Sequence, residues 1–126
     1  MVKRYFDVNV FVYFLTHHPQ YFERAKYWLS NTEEIYTSEI TLFQLIIVLS
    51  RLLSKPAIEI LSILSSFFSE MGIRFVHLEP DDIGKIKDLA MKYNLDFEDA
   101  IHLYLSRKVG ELISNDKELI KLGAKF

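Results

Sequence analysis

Apolar and polar positions follow two alternating periods along this chain, and each change of period marks an element. Val2 to Phe6 reads as a short strand ending at Asp7-Val8-Asn9. Val10, Phe11, Phe14 and Leu15 then recur at helical spacing until Thr16-His17-His18-Pro19 stops the run. A second helix is expected from Tyr21 to Leu29, and Glu34 to Thr37 reads as a buried strand. Ser38 is a suitable N-cap for a long apolar helix reaching about Leu53. After Lys55-Pro56, another helix runs through Ile60, Leu61, Leu64, Phe67 and Phe68 to Met71, with Gly72 as its C-cap. A strand from Arg74 to Leu78 follows, and Pro80-Asp81-Asp82 opens a helix to Tyr93. Asp96 caps a helix that carries Asp99 at its third position and ends at Gly110. Glu111 to Ser114 is the fourth strand, leading into Asp116 and a last helix. Strands alternating with helices imply a parallel sheet covered by helices on both faces.

That topology gathers chemistry. In parallel α/β sheets the functional crevice lies beyond the carboxyl ends of the strands. Asp7 and Asp116 each follow a strand end. Asp99 sits in the first turn of the helix that returns to strand four, and Gln44 lies early in the helix leaving strand two, so four separate segments point at one edge. Carboxylates gathered in this way repel one another unless a cation neutralises them, and a hard divalent ion such as Mg²⁺ or Mn²⁺ suits oxygen donors. Only His102 lies in these segments, one turn after Asp99, which argues against a zinc site of His and Cys. Magnesium held by a few carboxylates keeps positions for water, which suits hydrolysis of a phosphodiester.

Composition narrows the picture further. With 126 residues, 50% hydrophobic and 25% charged, the chain fits one folded domain, residues 1–126, with no linker, repeat or low-complexity stretch. The absence of cysteine removes disulfides, thiolate metal sites and cysteine nucleophiles together, and suits a cytoplasmic location. The run from Ile40 to Leu49 is interrupted by Thr41 and Gln44 and is too short to span a membrane. Met1-Val2-Lys3-Arg4 leads into no apolar core of the signal-peptide kind. The formal net charge of -2 gives no global pull toward nucleic acid, so RNA phosphates would need local cations such as Arg107 or Lys117.

Four stretches, taken in order, resemble the PIN-domain family and in particular the VapC-like toxin ribonucleases of toxin-antitoxin systems. They are Tyr5-Phe6-Asp7-Val8-Asn9, Thr37-Ser38-Glu39-Ile40-Thr41-Leu42-Phe43-Gln44-Leu45, Leu95-Asp96-Phe97-Glu98-Asp99-Ala100 and Ser114-Asn115-Asp116-Lys117. The resemblance implies a three-layer α/β/α sandwich with a mainly parallel sheet of four to five strands. It implies Mg²⁺- or Mn²⁺-dependent endoribonuclease activity, with Asp7, Asp99 and Asp116 as metal ligands and Asn9 and Ser114 hydrogen-bonding behind them. A homodimer and a small antitoxin partner are implied too.

One position departs from the pattern. The resemblance asks for a glutamate where Gln44 stands, and an amide brings no charge and cannot act as a base. Glu39 does not replace it, because five helical residues turn it about 140° away. Weak or absent activity is therefore expected, improving in Gln44→Glu, and the alternative is a non-catalytic PIN-like protein acting through partner or RNA binding.

Each residue also has a plainer reading. Asp7 could be a turn residue, Asp99 a capping-box partner of Asp96, Asp116 the N-terminal acid of a helix, and Gln44 a core amide bonded to backbone.

Overall fold

In the computed structural model, which describes residues 1–126, four parallel strands form one sheet in the order β3-β2-β1-β4. They are β1 (Lys3–Phe6), β2 (Glu34–Thr37), β3 (Arg74–Phe75) and β4 (Glu111–Ile113). Helices α1 (Val8–Leu15) and α2 (Phe22–Ser30) join β1 to β2, while α3 (Glu39–Leu52) and α4 (Ala57–Met71) join β2 to β3. Helices α5 (Asp82–Tyr93) and α6 (Phe97–Ser106) join β3 to β4, and α7 (Lys117–Lys121) follows. The expected α/β/α sandwich with a parallel sheet is what forms.

Alternation along the central strands divides the core in two. Phe6 and Ile113 face one side and pack with Val10, Phe11, Leu45, Leu49, Ile60, Leu64 and Phe67 from α1, α3 and α4. Tyr5 and Leu112 face the other and pack with Ile86, Leu103, Leu105 and Leu119 from α5, α6 and α7. Only the carboxyl-terminal parts of these strands, Tyr5-Phe6 and Leu112-Ile113, are buried on both faces and free of charge, whereas Lys3, Arg4 and Glu111 stand at their more exposed starts. Register is fixed by pairing Tyr5 with Tyr36 on one side and with Leu112 on the other.

Crossovers from β1 move through β2 to β3 on one side, whereas β4 lies on the opposite side of β1. The strand order therefore reverses between β1 and β4, a topological switch point with an open crevice at the carboxyl ends of those strands.

Two glycines are dictated by local geometry. Gly72 closes α4 in the left-handed region, with φ 64°. A Cβ on Gly110 would stand 2.6 Å from the Lys3 carbonyl oxygen, so only glycine lets the α6–β4 connection lie against β1.

The main departure from the sequence reading is β3, which spans two residues rather than Arg74 to Leu78. It is an edge strand with β2 as its only neighbour, and Thr37 is the last residue of β2 available to pair. Val76 still donates to the Thr37 carbonyl at 2.8 Å, after which the chain leaves the sheet. Ser38 occupies the N-cap position of α3, but its hydroxyl makes no capping bond and is used elsewhere. No helix is long and apolar enough to cross a membrane.

Candidate functional site

Asp7 ends β1 and caps α1, so the strand's carboxyl end and the helix's free N–H groups determine its position together. Its Oδ1 accepts from the Asn9 backbone N–H at 3.1 Å, and its Oδ2 accepts from the Ser114 hydroxyl. Ser114 is fully buried just past β4, and its oxygen in turn accepts from the Asp116 backbone N–H at 3.0 Å. One hydroxyl thus ties the ends of β1 and β4 to the start of α7. Asp116 caps α7 through Oδ1, accepting from the N–H groups of Glu118 at 2.9 Å and Leu119 at 3.1 Å. Asp96 caps α6 in the same way, accepting from the Asp99 N–H at 2.9 Å. Asp99 therefore projects from the first turn of α6 toward the same crevice.

Asp7, Asp96, Asp99 and Asp116 line a cleft of about 420 Å³, together with Val8, Asn9, Gln44, Ile47, Val48, Glu98 and His102. Five carboxylates line it, and no lysine or arginine does. The electrostatic consequence falls on the two most confined acids. Burial pushes the Asp7 carboxyl up to about 6, partly opposed by Ser114 and the N–H groups of Asn9 and Val10, with Asp116 adding to the rise. Asp99 is pushed up to about 7, first by burial and then by the charges of Asp116, Asp96, Asp7 and Glu98. Negative charge at this sheet edge is thus uncompensated by the protein itself.

Whether a hard cation suits this cleft follows from its donors and their spacing. All the charged donors are carboxylate oxygens, the type that Mg²⁺ and Mn²⁺ take. The donor set fits. It is not closed: no three acid or histidine side chains are drawn near enough together to hold one ion.

Gln44 reaches the cleft from α3 with both amide atoms engaged. Its Oε1 lies 3.0 Å from His102 Nε2, and its Nε2 donates to Glu98 Oε2 at 2.6 Å. His102 is 3% exposed, and its Nδ1 lies 2.8 Å from the Tyr5 hydroxyl, which is 2.6 Å from Ser38 Oγ. Burial lowers His102 to about 4, so the ring is neutral at physiological pH. The expectation of a core amide bonded to backbone does not hold for Gln44, since both its partners are side chains on α6.

The structure brings Asp7, Gln44, Asp99 and Asp116 to one cleft. Asn9 also lines it, but its backbone rather than its side chain bonds Asp7. Arg107 lies elsewhere. It stands at the far end of α6, roughly 15 Å from that helix's first turn, in a separate pocket with Lys85, Lys92 and Lys108. Lys117 is exposed beside Asp116 without lining the cleft.

Glu98 and the Tyr5–His102 pair were not singled out from sequence as parts of the site. His102 carried a readable signal, being one helical turn from Asp99. Glu98 carried only its adjacency to Asp99, and its bond to Gln44 spans 54 residues.

Comparison with known proteins agrees with this architecture. No curated protein sequence matches the chain. Among solved structures, a chain of a toxin-antitoxin complex from Klebsiella pneumoniae superposes with a TM-score of 0.74 at 16% identity, covering 98% of this chain and 95% of that one. A chain of the VapBC2 structure from Rickettsia felis, bound to a DNA fragment from their promoter, superposes at 0.67 and 17% identity with the same coverage. At such identities the likeness is one of fold. The family model for the PIN domain matches residues 4–125, and with that match the chain belongs to the PIN-domain family.

Proposed function

We propose that this protein is a VapC-like toxin, a Mg²⁺- or Mn²⁺-dependent endoribonuclease that acts in the cytoplasm and is held in check by an antitoxin. The observation that carries the reading is the cleft at the β1/β4 switch point, lined by five carboxylates with no protein cation among them. Asp7, Asp99 and Asp116 are the residues that would hold the metal. A divalent ion bound there supplies Lewis acidity toward a phosphodiester and lowers the pKa of water. The protein's own contribution is placement: Ser114 and the Asn9 N–H fix both oxygens of Asp7, and capping bonds fix Asp96 and Asp116. With no cation in the cleft, RNA phosphates need exposed positive groups outside it, and Lys117 at the rim suits that role.

Partners follow from the surface. Phe43 and Ile47, one turn apart on α3, are 64% and 55% exposed, and Ile58 at the start of α4 is 72% exposed; such apolar positions suit contact with a second copy or an antitoxin segment. The two structural neighbours come from toxin-antitoxin complexes, which supports an antitoxin as one partner.

Cleavage of a structured RNA panel with added Mn²⁺ tests the reading. The unaltered chain is expected to cut and Asp99→Asn to lose at least 100-fold in rate, in line with removal of a group acting at the reacting centre. Equal cleavage by both forms, or cleavage insensitive to a chelator, would refute it. Gln44 favours a second reading, a PIN-like protein that binds partner or RNA without catalysis, and that reading predicts complex formation with no cutting by any variant.

A further inference from the structure

Two carboxylates in the cleft are gripped by side-chain donors that reach from other elements: Asp7 by Ser114 and Glu98 by Gln44. Asp7 also accepts from the Asn9 N–H of its own helix, whereas Asp96 and Asp116 are bonded only by such backbone N–H groups. Ordering an exposed glutamate costs rotamer entropy, and carboxylates that ligate metals are characteristically oriented by just such bonds.

The grip on Glu98 has a fixed direction. The Gln44 Oε1 accepts only, so His102 Nε2 carries the proton and its Nδ1 accepts. The Tyr5 hydroxyl then donates to Nδ1, and Ser38 Oγ donates to Tyr5. Protons therefore point one way through Ser38, Tyr5, His102 and Gln44, and the last N–H points at Glu98. Ser38, Tyr5 and His102 are 1%, 0% and 3% exposed, so solvent does not reset this order. Turning the amide over would set its oxygen against the Glu98 carboxylate. A glutamate at position 44 would place two carboxylates at the 2.6 Å separation now bridged by an N–H.

We infer that Glu98 supplies a further carboxylate to the cation site, with Gln44 as the positioning residue that holds it there. The negative charge that Gln44 lacks stands one hydrogen bond away, on α6 beside Asp99. Gln44 and Glu98 then act as a matched pair, and a glutamate introduced at 44 alone disrupts the site rather than repairing it. This inference rests on the metal-dependent reading of the cleft.

Titration calorimetry of the full chain with Mn²⁺ tests it, with circular dichroism confirming that each variant folds. Glu98→Gln is expected to weaken Mn²⁺ binding about tenfold or more. Gln44→Glu alone should not tighten binding, and Gln44→Glu combined with Glu98→Gln should recover affinity toward that of the unaltered chain. Glu98→Gln keeps an amide oxygen to accept from Gln44, so a purely structural role for the pair would leave the affinity of that variant unchanged. Unchanged affinity in Glu98→Gln, or tighter binding in Gln44→Glu alone, would overturn the inference. If Asp99→Asn abolishes binding while Glu98→Gln leaves it intact, the metal reading stands and this inference alone falls. If the unaltered chain binds no Mn²⁺, both fall.

Discussion

Asp7 is held ionisable at a cost, and the cost has a pH signature. Its carboxyl is raised from 3.8 to about 6, so the folded state binds its proton more tightly than the unfolded chain does. The associated stability is fully present below pH 3.8 and is lost as pH rises through about 6, a contribution of about 3 kcal/mol. Asp99, raised to about 7, acts in the same direction. His102, lowered to about 4, acts oppositely: its contribution is present above pH 6.5 and lost as pH falls through about 4. Urea unfolding of the metal-free protein should therefore show stability declining between pH 4 and 7, with a flatter profile in Asp7→Asn. His102→Leu should cost about 1–3 kcal/mol, because it leaves the Gln44 oxygen and the Tyr5 hydroxyl short of a partner. The three aspartates were legible in the sequence because strand ends and a capped helix set their places locally. The bond from Gln44 to Glu98 was not, because it depends on how α3 and α6 pack.

Among the elements, β1 and β4 carry the site, and their mutual approach rests on Gly110. Gly110→Ala would drive a methyl group against the Lys3 carbonyl, a backbone atom that cannot swing aside. We expect a loss of roughly 1–3 kcal/mol in thermal or urea unfolding. Leu45, fully buried one residue beyond Gln44, anchors α3 to the core. Leu45→Ala should cost about 2–5 kcal/mol by leaving a cavity. Helix limits were readable where a cap was present, as at Asp96 and Gly72. Helical spacing of apolar residues starts only at Val10, whereas Asp7 itself caps α1 and the helix begins at Val8. For β3, Val76 and Leu78 prolong the apolar pattern, yet pairing stops where β2 runs out of partners. Periodicity reports a preference for extended backbone but not whether a neighbouring strand is there to receive it.

For the molecule as a whole, strand order decides where chemistry is possible. The order β3-β2-β1-β4 leaves one switch point, and Asp7, Gln44, Asp99 and Asp116 all reach it. On α3 and α4 the apolar side chains of Phe43, Ile47, Leu52 and Ile58 stay exposed. If that face joins two copies, as proposed, Ile47→Glu together with Ile58→Glu should convert a dimer to a monomer in analytical ultracentrifugation without loss of helical signal. The most direct test of the whole account is Mn²⁺ titration calorimetry at about pH 8, where Asp7 and Asp99 are both ionised. Saturable binding by the unaltered chain, weakened at least tenfold in Asp99→Asn, is expected. No binding, or equal binding by the two, would contradict it.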